Sequence, residues 1–456
     1  MGGSGTRIAS ISGLRGIVGD GLDPATAAEF AAAYASGCDP GPIAIGHDGR
    51  RSAAVFAAAV EAGITATGHD ALLLGATATP TIGRLVRESG LAGGVQISAS
   101  HNPPQYNGLK FFQSKGMVLG ADQGRALLER WQRKDLGWAR WNALGTASHL
   151  SDPDAGHLAC LIDIVDQEAI RACRFKVVLD ACHGAGGRLA TRLLDALGAD
   201  SLVLGGVPDG RYDHPPEPTE ANLRAFSAIV PAIGAAIGFA QDPDADRLAI
   251  VDEVGRYIGE ELTLALAARL RLDQAKGPVV MNLSTSMTTE KLALGLGCPV
   301  HRTPVGEINV VERMLAENAI LGGEGNGGVI DPRVGYVRDS FVAMALILEL
   351  MARTRLPISE LAATLPRFSM IKDQYPIAPT GTAGAGNLSG LWERIAAAFP
   401  DARVDLRDGL RLEWDDRWVH VRASNTEPIV RVIAEAPEAS EARELSGRIG
   451  QWVGRG

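Results

Sequence analysis

The chain has little of what marks secreted, membrane or nucleic-acid-binding proteins. Its five cysteines, Cys38, Cys160, Cys173, Cys182 and Cys298, are odd in number and scattered along 456 residues. None forms a C-x-x-C pair, so neither a disulfide framework nor a cysteine metal site is supported, and a reducing cytoplasm is the expected setting. Aromatic residues amount to 5%, too few for a stacking surface. The N-terminal MGGSGTRIAS lacks the apolar stretch of a secretory signal, so none is expected. The longest apolar run, FVAMALILELMA at 341–352, is too short to span a bilayer and reads as a buried helix. Lysine and arginine form no cluster, and the formal net charge is −9. That balance argues against non-specific binding to DNA or to anionic lipid. Neither nucleic acid nor membrane is expected as a partner.

Apolar residues make up 46% and charged residues 21%, with 55 glycines. These are the proportions of a globular protein with many tight turns, and the length allows several domains. One order of elements occurs three times. Apolar strands are expected at PIAIGHD (42–48), ALLLG (71–75) and GGVQISAS (93–100). They recur at KVVLDA (176–181), DSLVLGG (200–206) and AAIGFAQD (235–242). The third set is PVVMNL (278–283), CPVHRTPV (298–305) and AILGGEGN (319–326). Helical patterns such as RRSAAVFAAAVEAGITATG and GGRLATRLLDALGA separate them, and this alternation predicts largely parallel sheets. The last ninety residues differ: GLRLEWDDRWVHVRAS and PIVRVIAEA read as strands, and ASEARELSGRIGQWV as a closing helix. The expected fold is α/β, with three similar α/β domains of mainly parallel mixed sheets and a smaller C-terminal α+β domain around a central cleft. The expected limits are 1–150, 151–254, 255–368 and 369–456.

The loop after the third strand of each unit is unusual: SASHNPP, QDPDADR and GGEGNGG. In α/β sheets ligands gather beyond the carboxyl ends of strands, so these loops and the fourth domain can meet in one cleft. In QDPDADRLAIVDE, Asp242, Asp244 and Asp246 alternate, a density of carboxylates that calls for a cation. Hard oxygen ligands suit Mg²⁺. An EF-hand would use Glu253 at the twelfth position, but Arg247 stands where that loop needs glycine. A solvated acidic turn is the simpler alternative. Ser100 alone reads as a cap or turn former, His101 as a turn residue and Lys110 as a solvated charge. Next to a Mg²⁺ loop, however, Ser100 offers an acceptor oxygen for phosphoryl transfer. In GGEGNGG, Glu324 and Asn326 can bind sugar hydroxyls, unless the loop is simply a connecting turn. In RASNTEP (422–428), Arg422, Ser424, Asn425 and Thr426, with Arg431 following, suit either a phosphate clamp or a surface turn.

Taken together and in order, these loops resemble those of the α-D-phosphohexomutase family, which includes phosphoglucomutase, phosphomannomutase and phosphoglucosamine mutase. SGLRGIVG (12–19) is similar to the family's N-terminal basic stretch and GHDGRRS (46–52) to its G-x-D-x-R-x-S. SASHNP resembles its phosphoserine loop, DPDADR its metal loop, GGEGNGG its sugar loop and RASNTEP its phosphate loop. The resemblance implies that Ser100 carries a phosphoryl group and, with Asp242, Asp244 and Asp246, holds Mg²⁺. It implies that Arg15 and Lys110 assist at the phosphoryl centre, that Arg247 lies beside the metal, and that Thr303 of TPVGEINV joins the substrate-binding residues.

The implied reaction interconverts hexose 6-phosphate and hexose 1-phosphate through a bisphosphorylated sugar. A sugar bisphosphate would activate the serine, in a monomer or homodimer. The chain departs from the family at Asn326 and Gly328, where Ser and His are frequent, and at Asn425, where Gly is. Glu307 stands where phosphomannomutase/phosphoglucomutase members tend to have His and phosphoglucosamine mutases an acidic residue. Lys110, His101 and Glu307 remain as acid–base candidates. Glucosamine 6-phosphate is the expected substrate, with phosphomannomutase/phosphoglucomutase activity as the alternative. A serine-dependent sugar phosphatase or a silent sugar-phosphate sensor is more remote.

Overall fold

A computed structural model describes residues 8–11, 13–376, 388–423 and 429–455. Ser12, Ser424, Asn425 and Thr426 lie outside the described residues.

Three α/β sheets share one core topology. In the second, Lys176–Asp180 lies between Asp200–Leu204 and Ile237–Gln241, parallel to both, and Leu248–Asp252 pairs antiparallel with Ile237–Gln241. The third repeats this with Val279–Asn282 between Val300–Thr303 and Leu321–Glu324, then Gly328–Ile330 antiparallel. The eight-stranded first sheet contains the same core, Ala71–Ala76, Ile43–His47, Gly93–Ile97 and antiparallel Tyr106–Gln113, and extends it with Gly13–Val18 and further short strands. The fourth is a five-stranded sheet, antiparallel throughout. The helices Leu388–Ala397 and Ala439–Arg455 pack on it, with Ile395, Leu412, Val432 and Ile449 in its core. Among the described residues no helix is long and apolar enough to cross a membrane.

The run expected to be a buried helix is the helix Ser340–Thr354, in which Ser340 through Ala352 are buried. A helix apolar on every side needs neighbours all round. Here it joins the second and third sheets: Leu179, Ile237, Val279, Phe341 and Leu346 belong to one continuous apolar cluster.

The sequence pattern carried the third strand to Ser100, but the strand ends at Ile97. Ser98 Oγ donates to Asp48 Oδ2 at 2.6 Å and accepts from the Ser100 amide at 2.8 Å. Ser100 has φ 49°, in the left-handed region no strand residue adopts.

In all three units the connection from the third strand to its antiparallel partner is the loop singled out above, at 98–105, 242–247 and 325–327. The second and third of these touch, since the Leu248 amide donates to Gly327 O at 3.1 Å. Gly327 has φ 84°, and a Cβ there would lie 2.3 Å from Leu248 O. Gly327→Ala is therefore expected to lower unfolding free energy by about 1–3 kcal/mol, through backbone strain and overpacking together. Urea unfolding checks this, and a midpoint equal to that of the parent chain would refute the tight contact.

Candidate active site

The serine loop is built from Arg50. Its guanidinium donates to Ser100 O, to Asn102 O and Pro103 O at 2.8 Å each, and to Tyr106 O at 3.0 Å. Its Nε pairs with Asp48 at 2.8 Å, both side chains being fully buried. One planar cation thus collects three carbonyls of the loop and that of Tyr106, the first residue of the strand that follows. Held this way, Ser100 keeps a left-handed backbone that costs about 1–3 kcal/mol for a non-glycine residue, and its hydroxyl donates to Asp242 Oδ2 at 2.6 Å. His101 Nδ1 lies 3.3 Å from Ser100 Oγ. Arg247, burial and Arg15 push the His101 imidazole down to about 2, so the ring is neutral. Arg15 Nη1 donates to Asn102 Oδ1 at 2.8 Å.

Asp242, Asp244 and Asp246 are buried, and one carboxylate oxygen from each lies within 4.8 Å of the others. Burial and the two neighbouring carboxylates hold the Asp242 carboxyl well above its ordinary range. Burial acts on Asp246 in the same sense, but Arg338, Lys110 and Arg247 outweigh it and draw that group far below the ordinary range. Lys110 Nζ reaches Asp246 Oδ2 at 3.0 Å and Asp244 Oδ2 at 3.3 Å. Thr79 adds its hydroxyl to Asp244 Oδ2 at 2.6 Å and its amide to Asp244 O at 2.9 Å. Arg247 contributes its amide to Asp242 Oδ1 at 3.2 Å and its Nε 3.6 Å from Asp246 Oδ1.

The donor set fits a hard divalent cation. Asp244 Oδ1 and Asp246 Oδ1 are buried without a hydrogen-bond partner, an arrangement that is costly unless a cation completes it. The three carboxylates are the one such group found among the described residues. Oxygen-only ligands at alternate positions favour Mg²⁺ over softer metals. Glu253, the twelfth residue of the alternative EF-hand reading, instead accepts from the Ser359 amide at 3.2 Å.

Arg338, which the sequence reading passed over, links the metal loop to the third unit. Its Nη2 donates to Asp246 Oδ2 at 2.6 Å, its Nη1 to Glu324 Oε2 at 2.5 Å and its amide to Glu307 Oε1 at 2.8 Å. Burial alone would raise Glu324, but Arg338 and the Asn282 amide hold it below the ordinary carboxylate range and therefore ionised. Glu307 is raised by burial in spite of Arg338 and Lys110. Asn326 Nδ2 lies 3.4 Å from Glu324 Oε2, whereas the Thr303 hydroxyl is turned to Pro304 O at 3.0 Å.

A further bridge reaches the fourth sheet. Arg422 Nε donates to Asp408 Oδ1 at 2.9 Å, and Asp408 Oδ2 accepts from the Val305 amide at 2.8 Å. The next amide, Gly306, donates to Glu324 Oε1 at 3.2 Å. Arg422 and Arg431 stand directly opposite each other on antiparallel strands, a like-charge pairing that an anion would relieve. Arg338 and Arg50 carried a faint signal in the sequence, as charged residues beside the apolar run at 341 and within GHDGRRS.

Family models match the chain in order. Those for the phosphoglucomutase/phosphomannomutase alpha/beta/alpha domains I, II and III match residues 7–137, 155–255 and 259–368, and that for the C-terminal domain matches 391–449. A phosphoglucomutase/phosphomannomutase of Thermococcus kodakarensis is 35% identical over 439 residues, 95% of each chain. A protein of Methanopyrus kandleri named "Probable phosphoglucosamine mutase" is 34% identical over 437 residues, again 95% of each. The crystal structure of a phosphoglucomutase/phosphomannomutase family protein from Burkholderia thailandensis superposes with a TM-score of 0.83 at 26% identity, covering 98% of this chain and 96% of that one. A likeness that runs from the serine loop to the closing helix, over a fold with three repeated α/β units, places this chain in the α-D-phosphohexomutase family, whose members are isomerases that move a phosphoryl group within a sugar phosphate.

Proposed function

We propose that the enzyme interconverts glucosamine 6-phosphate and glucosamine 1-phosphate by way of a phosphoserine at Ser100. The observation that carries the proposed serine chemistry is the 2.6 Å contact from Ser100 Oγ to Asp242 within a buried carboxylate cluster ringed by cations.

In the dephosphorylated enzyme the serine hydroxyl proton is directed at Asp242 Oδ2, which leaves the oxygen lone pairs facing the cleft. Phosphoserine gives its phosphoryl group to the free sugar hydroxyl: the bond from phosphorus to Ser100 Oγ breaks as the bond to the sugar oxygen forms, and the proton the sugar hydroxyl loses is made up at Ser100 Oγ, which ends as a hydroxyl. The bisphosphorylated sugar turns end for end, and Ser100 takes back the other phosphoryl group. Transfer through a loose transition state needs positioning and charge neutralisation more than covalent help from the protein. Lys110 serves as a fixed positive charge, since Asp246 and Asp244 outweigh burial and keep it protonated. Arg15 and Arg247 flank the serine loop and the metal loop, and the neutral His101 ring lies beside the serine oxygen. Asp242, Asp244 and Asp246, with the seryl oxygen, would hold Mg²⁺, which when bound neutralises charge on the transferring group. Ionised Glu324, with Asn326 beside it, would take the sugar hydroxyls. Arg422 and Arg431, with Ser424, Asn425 and Thr426, would grip the phosphate that is not reacting. A sugar bisphosphate would load the serine initially.

Glu307 supports the amino sugar. It is a buried carboxylate tied to the Arg338 amide beside the sugar loop, and a ligand bearing an ammonium group suits it better than a neutral hydroxyl does. Relatives named for phosphoglucosamine mutase point the same way. The relative named phosphoglucomutase/phosphomannomutase favours glucose or mannose phosphates as the second reading.

Ser100→Ala is expected to abolish turnover while leaving circular dichroism and unfolding unchanged; an active, stable variant would refute the phosphoserine. Asp244→Ala should weaken Mg²⁺ affinity and kcat together by about 10- to 100-fold or more, read from rates across a magnesium titration. Identical titrations would exclude the triad as ligands. In a comparison of glucosamine, glucose and mannose 6-phosphates, glucosamine should show the highest kcat/KM and yield a 1-phosphate. A faster neutral sugar would sink the substrate assignment, and release of free phosphate would indicate a phosphatase.

A further inference from the structure

Thr81, His157 and Asp339 form a buried chain of hydrogen bonds that the reaction above does not use. Thr81 Oγ1 lies 2.8 Å from His157 Nδ1, and His157 Nε2 lies 2.8 Å from Asp339 Oδ2. All three side chains are almost wholly withdrawn from water, and the imidazole meets the Phe341 ring edge-on at 5.6 Å. No substrate can reach them. A neutral imidazole satisfies every partner, with Nε2–H donating to the carboxylate and Nδ1 accepting from the threonine hydroxyl.

Each residue comes from a different unit, and the two outer ones, Thr81 and Asp339, lie within two residues of a group that touches the acidic cluster. Thr81 is on the helix Thr79–Glu88, whose first residue gives both its amide and its hydroxyl to Asp244. His157 is on the helix Ala155–Asp163, which precedes the second sheet. Asp339 caps the helix Ser340–Thr354 through Oδ1, accepting from the Phe341 and Val342 amides at 2.9 and 3.1 Å. Its other oxygen is left for His157. The residue before it is Arg338, the link between Asp246, Glu324 and Glu307. The hydrogen bonds run from Thr81 to Asp339, and the backbone alone carries the connection two residues back to Thr79 and one residue back to Arg338.

We propose that Thr81, His157 and Asp339 are a positioning relay, in which His157 fixes Arg338 and so sets the geometry of the phosphoryl-transfer centre. The relay rests on the metal reading of the aspartates for one of its two readouts only. Losing a direct hydrogen-bond partner of a metal ligand typically costs about 10- to 100-fold in activity or metal affinity, and Arg338, which bonds Asp246, is the partner the relay would position.

His157→Asn keeps a polar atom near Thr81 and loses Asp339, whereas His157→Gln keeps an amide at the Asp339 end. His157→Asn is expected to lower kcat by about 10- to 100-fold with KM within about threefold, and to weaken Mn²⁺ binding by about tenfold in calorimetry. His157→Gln should stay near the parent in both. A His157→Asn enzyme with parental kcat per folded molecule and only a lower unfolding midpoint would overturn the relay, as would equal losses in both variants. Asp244→Ala is the control. If it leaves Mn²⁺ binding intact, the metal reading fails and the division between kcat and KM alone judges His157. If His157→Asn does not fold, Thr81→Val removes one hydrogen bond at nearly constant shape, and an unchanged kcat there overturns the proposal.

Discussion

Three carboxylates buried within 4.8 Å of one another are the constraint around which the rest of the molecule is arranged. At an effective dielectric constant near 20, two unit charges about 4 Å apart interact by about 4 kcal/mol, and here both pairwise repulsion and lost hydration oppose folding. Lys110, Arg247 and Arg338 supply the opposing charge from three separate units. The two carboxylate oxygens left without a hydrogen bond, Asp244 Oδ1 and Asp246 Oδ1, mark where the protein's own donors are insufficient. This is why the cluster reads as a cation site, while the many acidic groups on the surface do not.

The repeated topology explains how such a centre can be assembled. In each α/β unit the third strand passes its chain to an antiparallel neighbour through one connection; the first two connections carry the serine and the aspartates, and Glu324 closes the strand that enters the third. Their equivalence lets one architecture present three chemistries to one space. The units do not behave as beads on a string, because the helix Ser340–Thr354 joins the cores of the second and third and Val337 packs into the apolar cluster of the first. Rigidity behind the loops is what permits Ser100 to hold a strained backbone at the point where its hydroxyl must be aimed.

Specificity is set further out. Arg338 ionises Glu324 and ties Glu307, so these two acidic groups share one cation. Asp408 in turn joins Arg422 of the fourth sheet to the Val305 amide, so the expected phosphate clamp is connected to the sugar loop by hydrogen bonds rather than by apolar contact. Polar contacts of that kind exchange with water and with ligand oxygens at low net cost.

Much of this was legible in the linear chain. The alternation of strands and helices announced the three repeated units, because hydrophobic period follows from which faces are covered. The uninterrupted apolar run at 341–352 announced a helix enclosed on all sides. Alternate aspartates at 242, 244 and 246 declared a cation loop, since adjacent carboxylates are unfavourable whatever the fold. The sequence could not show where the strand before Ser100 stops, since Asp48 and Arg50, some fifty residues earlier, end it through side-chain contacts. It could not reveal Arg338 or His157 either, because neither stands in a patterned motif and both take their meaning from partners in other units. Local preference, charge spacing and apolar period are properties of neighbours along the chain; the pairing of buried charges is a property of neighbours in space, and only the folded molecule decided it.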